Sequence, residues 1–150
     1  MKRGPETDLA ARYADRLKKA TRPLGLGWEG VFELSEAREA TASLRQEAEA
    51  TAILDRVPPG AAIVALDERG TALTSEAFAT MVATRRDGGI PHLAFTIGGP
   101  DGHGEVLRER ADLLLALGPM TWPHQLARVL LLEQLYRAAT ILAGHPYHRA

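Results

Sequence analysis

Three uninterrupted apolar runs constrain this chain more than any other feature: "AAIVALD" at 61–67, "HLAFTIGG" at 92–99 and "DLLLALGPM" at 112–120. A strand with one wet face alternates apolar and polar residues, whereas a strand covered on both faces does not, so these runs predict strands buried on both sides. Helical segments separate them. Thr74 or Ser75 stands ready to cap a helix through "EAFATMVATRRD", a short helix is predicted from Glu105 to about Ala111, and a long one runs from Pro123 to Ala143. Strands alternating with helices of this length give a mostly parallel sheet covered by helices, an α/β fold.

The first sixty residues are less periodic. A helix is expected from Pro5 to about Ala20, where Leu9, Tyr13 and Leu17 recur every four residues. "WEGVFELSE" reads as a short β-like stretch through Trp28, Val31, Phe32 and Leu34. An amphipathic helix is expected from Glu36 to Arg56, with Leu44, Ala48, Ala52 and Ile53 on one side, and "VPPG" ends it. No repeat, low-complexity tract or convincing linker divides the 150 residues, so one domain over 1–150 is expected.

Chemistry is narrowed by what is missing. With no cysteine there is no disulfide, thiolate metal site or cysteine nucleophile, which suits a reducing cytoplasm. The N-terminal residues hold no apolar signal region, and Arg128, Glu133 and Arg137 interrupt the longest apolar helix, so a membrane partner is not expected. No phosphate loop of the G-x-x-x-x-G-K-[ST] kind occurs, and the glycines at 98, 99, 102 and 104 do not spell G-x-G-x-x-G. None of the three serines lies in a G-x-S-x-G elbow. His145 and His148 stand three apart without a thiolate or an H-E-x-x-H companion, so no metal is expected. Net charge is −1, but residues 1–22 carry seven basic against three acidic side chains, and residues 23–60 carry three against seven. A basic face on the first helix, or merely a solvated one, follows from that asymmetry.

In parallel α/β sheets, ligands gather where strands hand over to loops at their carboxyl ends. Those loops are "LDERG", "IGGPDGHG" and "LGPMTWPH". Gly98 and Gly99 permit close backbone approach, and Met120 with Trp122 offers an apolar slot for a flat ring, although tight turns alone would use the same residues.

Two blocks carry more information than any of these features: "FTIGGPDG", and "MTWPHQLARVLLLEQLYRAATILAGHPYHR" with its T-x-P-H-x-L-x-R-V-L-x-x-E-Q-L-Y-R-A order and H-P-Y-H-R ending. The chain closely resembles the small SPOUT-class (α/β-knot) methyltransferases that act on N3 of a pseudouridine in the 23S RNA of the bacterial large ribosomal subunit. The likeness is strongest from about Ala61 to Arg149. It implies a deep C-terminal trefoil knot, a homodimer, S-adenosylmethionine as methyl donor, and large-subunit ribosomal RNA, free or in the assembled ribosome, as substrate. Carried over by position, the donor contacts fall on Leu66, on Gly98, and on Leu117, Gly118, Pro119, Met120, Thr121 and Trp122. The resemblance also implies a short apolar strand ahead of a stretch like "KRGPE". With Met1 at that point, the expected sheet lacks the family's first β-strand, and the expectation is either a start set too late or an N-terminally shortened chain.

Methyl transfer from a sulfonium needs alignment and dryness more than covalent help, but N3 of a uracil-like ring must first lose its proton. The tail supplies candidates: His148 as base, Arg149 for a phosphate or developing anion, and Tyr147 for stacking and its hydroxyl. His124, just after the third loop, competes for the base role, with a capping or packing histidine as the plainer reading. The long last helix is apolar on too many faces for one sheet to cover, which fits a second subunit whose tail reaches the donor pocket. The alternatives are a non-catalytic knot-fold module that binds RNA or nucleotide and dimerises, and a purely structural dimerisation protein.

Overall fold

Two four-residue strands flank one of eleven in a parallel sheet. The computed structural model describes residues 4–149. Strand β1 spans Ala62–Ala72, β2 Leu93–Thr96 and β3 Leu113–Ala116, in the order β2-β1-β3. Five α-helices accompany them: α1 (Pro5–Thr21), α2 (Ala42–Arg56), α3 (Ser75–Asp87), α4 (Glu105–Arg110) and α5 (His124–Ala143), with a 3-10 turn at Arg22–Leu24. The expected α/β class is what forms. The chain weaves between two compact bodies, one made of Phe32–Ala72 and Gly89–His124, the other of Met1–Val31, Leu73–Gly88 and Gln125–Ala150.

The first body holds the sheet. Ala62 to Ala65 are buried on both faces, as their unbroken apolar run requires, with Val64 and Ala65 fully inaccessible. β1 is central: Ala65 pairs with Thr96 of β2, and Leu66 pairs with Leu115 of β3. Asp112 sets where β3 begins, because its carboxylate accepts from the Ile63 amide (2.7 Å) while its own amide donates to the Ile63 carbonyl (2.8 Å). Beyond Leu66 the strand leaves the ladder for "DERG" and returns, so that Thr71 again faces Leu115 and Ala72 faces Ala116. Gly70 makes the return possible, since a Cβ there would lie 2.5 Å from the Leu114 carbonyl oxygen.

The second body is helical. Ala10 and Leu17 of α1 pack with Val129, Leu132 and Ala139 of α5, with Tyr13, Trp28 and Leu135 against them. Pro5 opens α1 behind the extended Gly4, Glu6 and Asp8 sit in its first turn and Lys18 and Lys19 in its last, all favourable to the helix dipole. Thr74, not Ser75, caps α3 by accepting from the Ala77 amide (3.0 Å).

Three expectations need correction. No strand forms in "WEGVFELSE": residues 26–39 are irregular, Gly30 adopts a left-handed φ of 108°, and Val31 and Phe32 stay exposed, so the stretch has no sheet neighbour to satisfy its backbone. Helix α2 starts at Ala42 rather than Glu36 because Thr41 caps it, accepting from the Leu44 amide (3.1 Å). Leu9 and Leu44 point outward: the buried positions are Ala10, Leu17 and Thr21 in α1, so Leu17 of the expected stripe does reach the core, and Ala50 in α2. Met1, Lys2 and Arg3, on which the expectation about the start and part of the basic excess rest, lie outside the described residues.

Candidate active site

The register of the sheet fixes where its loops emerge. Because Ala65 sits beside Thr96 and Leu66 beside Leu115, the chain leaves β2 toward Gly98, β1 at Leu66 and β3 toward Leu117 at one and the same edge. The donor-binding positions suggested by the sequence therefore start from three adjacent strands. Leu66 and Gly98 are half-buried, as are Leu117 and Gly118, while Pro119, Met120, Thr121 and Trp122 are exposed. Met120 at 70% is the most exposed large apolar side chain described, with Trp122 at 41%. Gly118 takes a φ of 102° with open space where a Cβ would be. The loop is tied back by the Trp122 indole N–H donating to the Leu117 carbonyl (3.4 Å) and by the Thr121 hydroxyl donating to Glu68 in the "DERG" excursion.

The glycines of "GGPDG" answer to the protein itself. A Cβ on Gly98 would lie 2.7 Å from the Gly102 carbonyl carbon, so the turn closes on its own backbone, aided by the Gly102 amide donating to the Gly99 carbonyl (2.9 Å). A Cβ on Gly99 would meet the Glu49 carboxylate at 2.7 Å, and one on Gly104 would meet Gln46 Cβ at 2.8 Å. Helix α2 thus lies against this loop, a role its sequence did not advertise. Arg45 grips Asp101 with two N–H groups (2.7 and 3.2 Å), Gln46 donates to the Asp101 carbonyl (2.9 Å), and the Gly99 amide faces Glu49 at 3.4 Å. The Arg45 hydrogen bond holds the Asp101 carboxyl below its ordinary range, while burial pushes Glu49 up. His103, at the loop's end, is buried with Nε2 3.0 Å from the Thr96 hydroxyl, and burial lowers its pKa.

The tail belongs to the helical body. α5 ends in a Schellman motif: Gly144 is left-handed (φ 72°), its amide donates to the Ile141 carbonyl, and the His145 amide donates to the Thr140 carbonyl. This turn sends Tyr147 and His148 back along α5. The Tyr147 hydroxyl donates to Glu133 (2.7 Å), its ring meets Tyr136 edge-on at 4.8 Å, and the Arg137 guanidinium lies 4.9 Å from its centroid. Burial first and the Glu133 carboxylate second push the Tyr147 phenol well up, so it stays protonated and acts as a donor. Arg137 is paired with Glu133 through two N–H groups and gives a third to His148 Nδ1 (3.1 Å). Because a guanidinium only donates, Nδ1 is the acceptor and the neutral ring carries its proton on Nε2. That Nε2 is buried without a hydrogen-bond partner, 3.4 Å from the Glu76 carboxylate. Arg149 and His124 are exposed.

Sequence reasoning thus found the tail but not the groups that hold it. Glu133 and Arg137 stand four apart on α5, a spacing that could have flagged an ion pair. Glu76 carried no such signal. Likewise Arg45, Gln46 and Glu49 share one face of α2 but read as an ordinary solvated surface.

Leu126 (42%) and Leu130 (36%) remain exposed one turn apart on α5, although seven other residues of the helix are buried. No helix among the described residues is long and apolar enough to cross a membrane, and none of their His, Asp and Glu side chains group in threes to hold a metal.

Comparison with known proteins bears on this arrangement. Residues 1–148 match the model of a family described as "Predicted SPOUT methyltransferase". The chain is 59% identical over 150 residues to a Brucella anthropi protein named ribosomal RNA large subunit methyltransferase H, the match covering 100% of this chain and 94% of the relative. Proteins of the same name from Brucella ovis (57% over 159 residues) and Brucella melitensis (56% over 164 residues) match with the same coverage.

Proposed function

The chain belongs to the SPOUT methyltransferase family, and we propose that it transfers a methyl group from S-adenosylmethionine to large-subunit ribosomal RNA, at N3 of a pseudouridine in 23S RNA. The observation that carries this is the common edge from which the loops at Leu66, Gly98 and Leu117 leave three neighbouring parallel strands. We take residues 1–150 as one SPOUT domain acting in the cytoplasm as a homodimer. The exposed Leu126 and Leu130 of α5 are the seam that a second copy would cover.

The residues at the sheet edge fit a donor with a flat apolar ring and a polar chain. Met120 and Trp122 offer exposed apolar surface, the open space at Gly118 admits close approach, and the backbone from Leu117 to Thr121 brings N–H and carbonyl groups. S-adenosylmethionine, when bound, supplies an electrophilic methyl carbon. The protein's work is to hold acceptor and donor in line and keep water out. Tyr147, held protonated by burial and by Glu133, presents a ring for stacking and an oriented donor. Arg149 is free to meet phosphate, along with the exposed basic residues Arg12, Lys18 and Arg22 of the helical body. The N3 proton passes to a histidine. His148 can take it only once Nδ1 is released from Arg137, whereas the exposed His124 follows directly on the loop ending at Trp122. In the homodimer, the tail of one subunit completes the donor site of the other.

Labelled methyl transfer to ribosomes lacking the modification tests the proposal, with mass spectrometry locating the product. Activity with the unmodified protein, lost in His148→Ala or His124→Ala according to which is the base, is the expected result. Binding of S-adenosylhomocysteine without any transfer would leave the non-catalytic module as the answer. A stable, active monomer in size exclusion with light scattering would defeat the shared site.

A further inference from the structure

We propose that helix α2 positions the glycine-rich donor loop, with Arg45 and Asp101 as the latch that sets affinity for the methyl donor; this rests on the reading of the Gly98 loop given above. Among the described residues β2 is an edge strand of four residues, bonded only to β1, and the loop that follows has to hold its shape through Gly98–Gly102 with one internal backbone hydrogen bond. A loop so sparsely bonded samples many conformations, and each one that differs from the bound form weakens the ligand.

The restraint comes from α2. Arg45, Gln46 and Glu49 lie on one face of the helix, and all three engage the loop. Arg45 fixes the Asp101 side chain through a two-point fork, and Gln46 fixes the same residue's carbonyl, so Asp101 is pinned by both side chain and main chain. The remaining guanidinium nitrogen of Arg45, Nη1, donates to the Glu39 carbonyl (2.9 Å), anchoring the guanidinium to the segment just before the helix. Gly99 and Gly104 then bracket Asp101: a side chain on Gly104 would run into Gln46 Cβ at 2.8 Å, and one on Gly99 would have to push the Glu49 carboxylate away. The fork holds Asp101, three residues beyond Gly98. Its part is therefore positioning: Arg45 acts on the donor through the backbone of the loop.

The test uses the full chain and its Arg45→Ala, Asp101→Ala and double variants, each titrated calorimetrically with S-adenosylhomocysteine and assayed for methyl transfer over a range of donor concentrations. Each single change should weaken S-adenosylhomocysteine on the order of tenfold, the lower end of what losing an outer partner costs at metal sites. The double variant should be no worse than the weaker single one, because both remove the same fork. KM for the donor should rise while kcat at saturating donor, affinity for ribosomes and thermal midpoint stay close to those of the unmodified protein. Arg45→Lys, which keeps the charge and loses the fork, should recover little. Unchanged S-adenosylhomocysteine affinity in the variants, or losses that add in the double variant and track a falling thermal midpoint, would overturn the latch while leaving the site in place. Absence of binding by the unmodified protein would overturn the site, and the latch with it.

Discussion

Gly70→Ala is the sharpest test of how the sheet sets the loops. The added Cβ would sit 2.5 Å from the Leu114 carbonyl oxygen, 2.6 Å from its carbon and 2.9 Å from the Leu115 nitrogen, all backbone atoms of the neighbouring strand. Ordinary contact begins at 3.4 Å, so β1 and β3 must separate by up to 0.9 Å where they pair. Ladder hydrogen bonds tolerate only a few tenths of an ångström, so the pairings of Thr71 and Ala72 with Leu115 and Ala116 are lost. Overpacking against rigid neighbours costs about 1–3 kcal/mol and each net hydrogen bond about 1 kcal/mol, giving a loss of about 2–4 kcal/mol. With a urea slope of about 2 kcal/mol/M, the midpoint followed by circular dichroism at fixed protein concentration should fall by about 1–2 M. Gly27→Ala is the control: nothing lies within 4 Å of its Cβ position and its φ is not positive, so its midpoint should hold or rise slightly. Equal midpoints for the two variants would refute the reasoning, since both add one methyl group and only Gly70 has a strand against it.

Burial keeps the His103 pKa below its ordinary value of 6.5, so below about pH 6.5 the unfolded chain binds a proton that the folded chain refuses, and stability should fall as pH falls, by up to about 1.4 kcal/mol per unit; His103→Gln should flatten that slope in urea titrations between pH 7 and 5. Thr74→Ala removes the side chain that accepts from the Ala77 amide and should cost about 1 kcal/mol in the same assay, with Thr74→Ser recovering most of it. Gly144→Ala puts a side chain at a φ of 72° and should cost about 1–2 kcal/mol. It should also lower methyl transfer by misdirecting the tail, and Gly144→Asn, which tolerates that conformation, should retain more activity.

The buried strands were legible because burial on both faces leaves a mark in every residue: "AIVA" has no polar position to betray a wet side. What lay beyond Leu66 left no such mark. Whether "DERG" ends β1 or merely leaves it depends on Leu115 accepting a second neighbour in Thr71, and on a glycine that reads equally well as a turn. "WEGVFELSE" failed for the opposite reason, since its apolar residues are real but strand formation needs a partner, which composition cannot supply. The cap at Thr41 shows the same limit at smaller scale. Five good helix formers, Glu36 to Ala40, precede it, and one hydroxyl hydrogen bond decides where the helix begins.

The site divides along the same line. Loops at strand ends follow from topology, so "LDERG", "IGGPDGHG" and "LGPMTWPH" could be picked out from order alone, whereas Leu66, Gly98 and Leu117 within them were singled out by the family resemblance. The reason for the glycines could not, because a glycine making room for a ligand and a glycine making room for Glu49 or Gln46 look identical in sequence. Charged residues on a helix are usually solvent-facing, so Arg45 had nothing to distinguish it from Arg38 or Arg56 until Asp101 came within 2.7 Å. In the tail, chemistry was visible as residue type and hidden as state. A histidine is a base only at a nitrogen that holds a free lone pair. At His148 that is settled by Arg137, eleven residues away, which occupies Nδ1 and leaves the proton on a buried Nε2. What the tyrosine and last histidine of "HPYHR" can donate or accept is therefore set as much by the turn of α5 carrying Glu133 and Arg137 as by the five residues that first draw the eye.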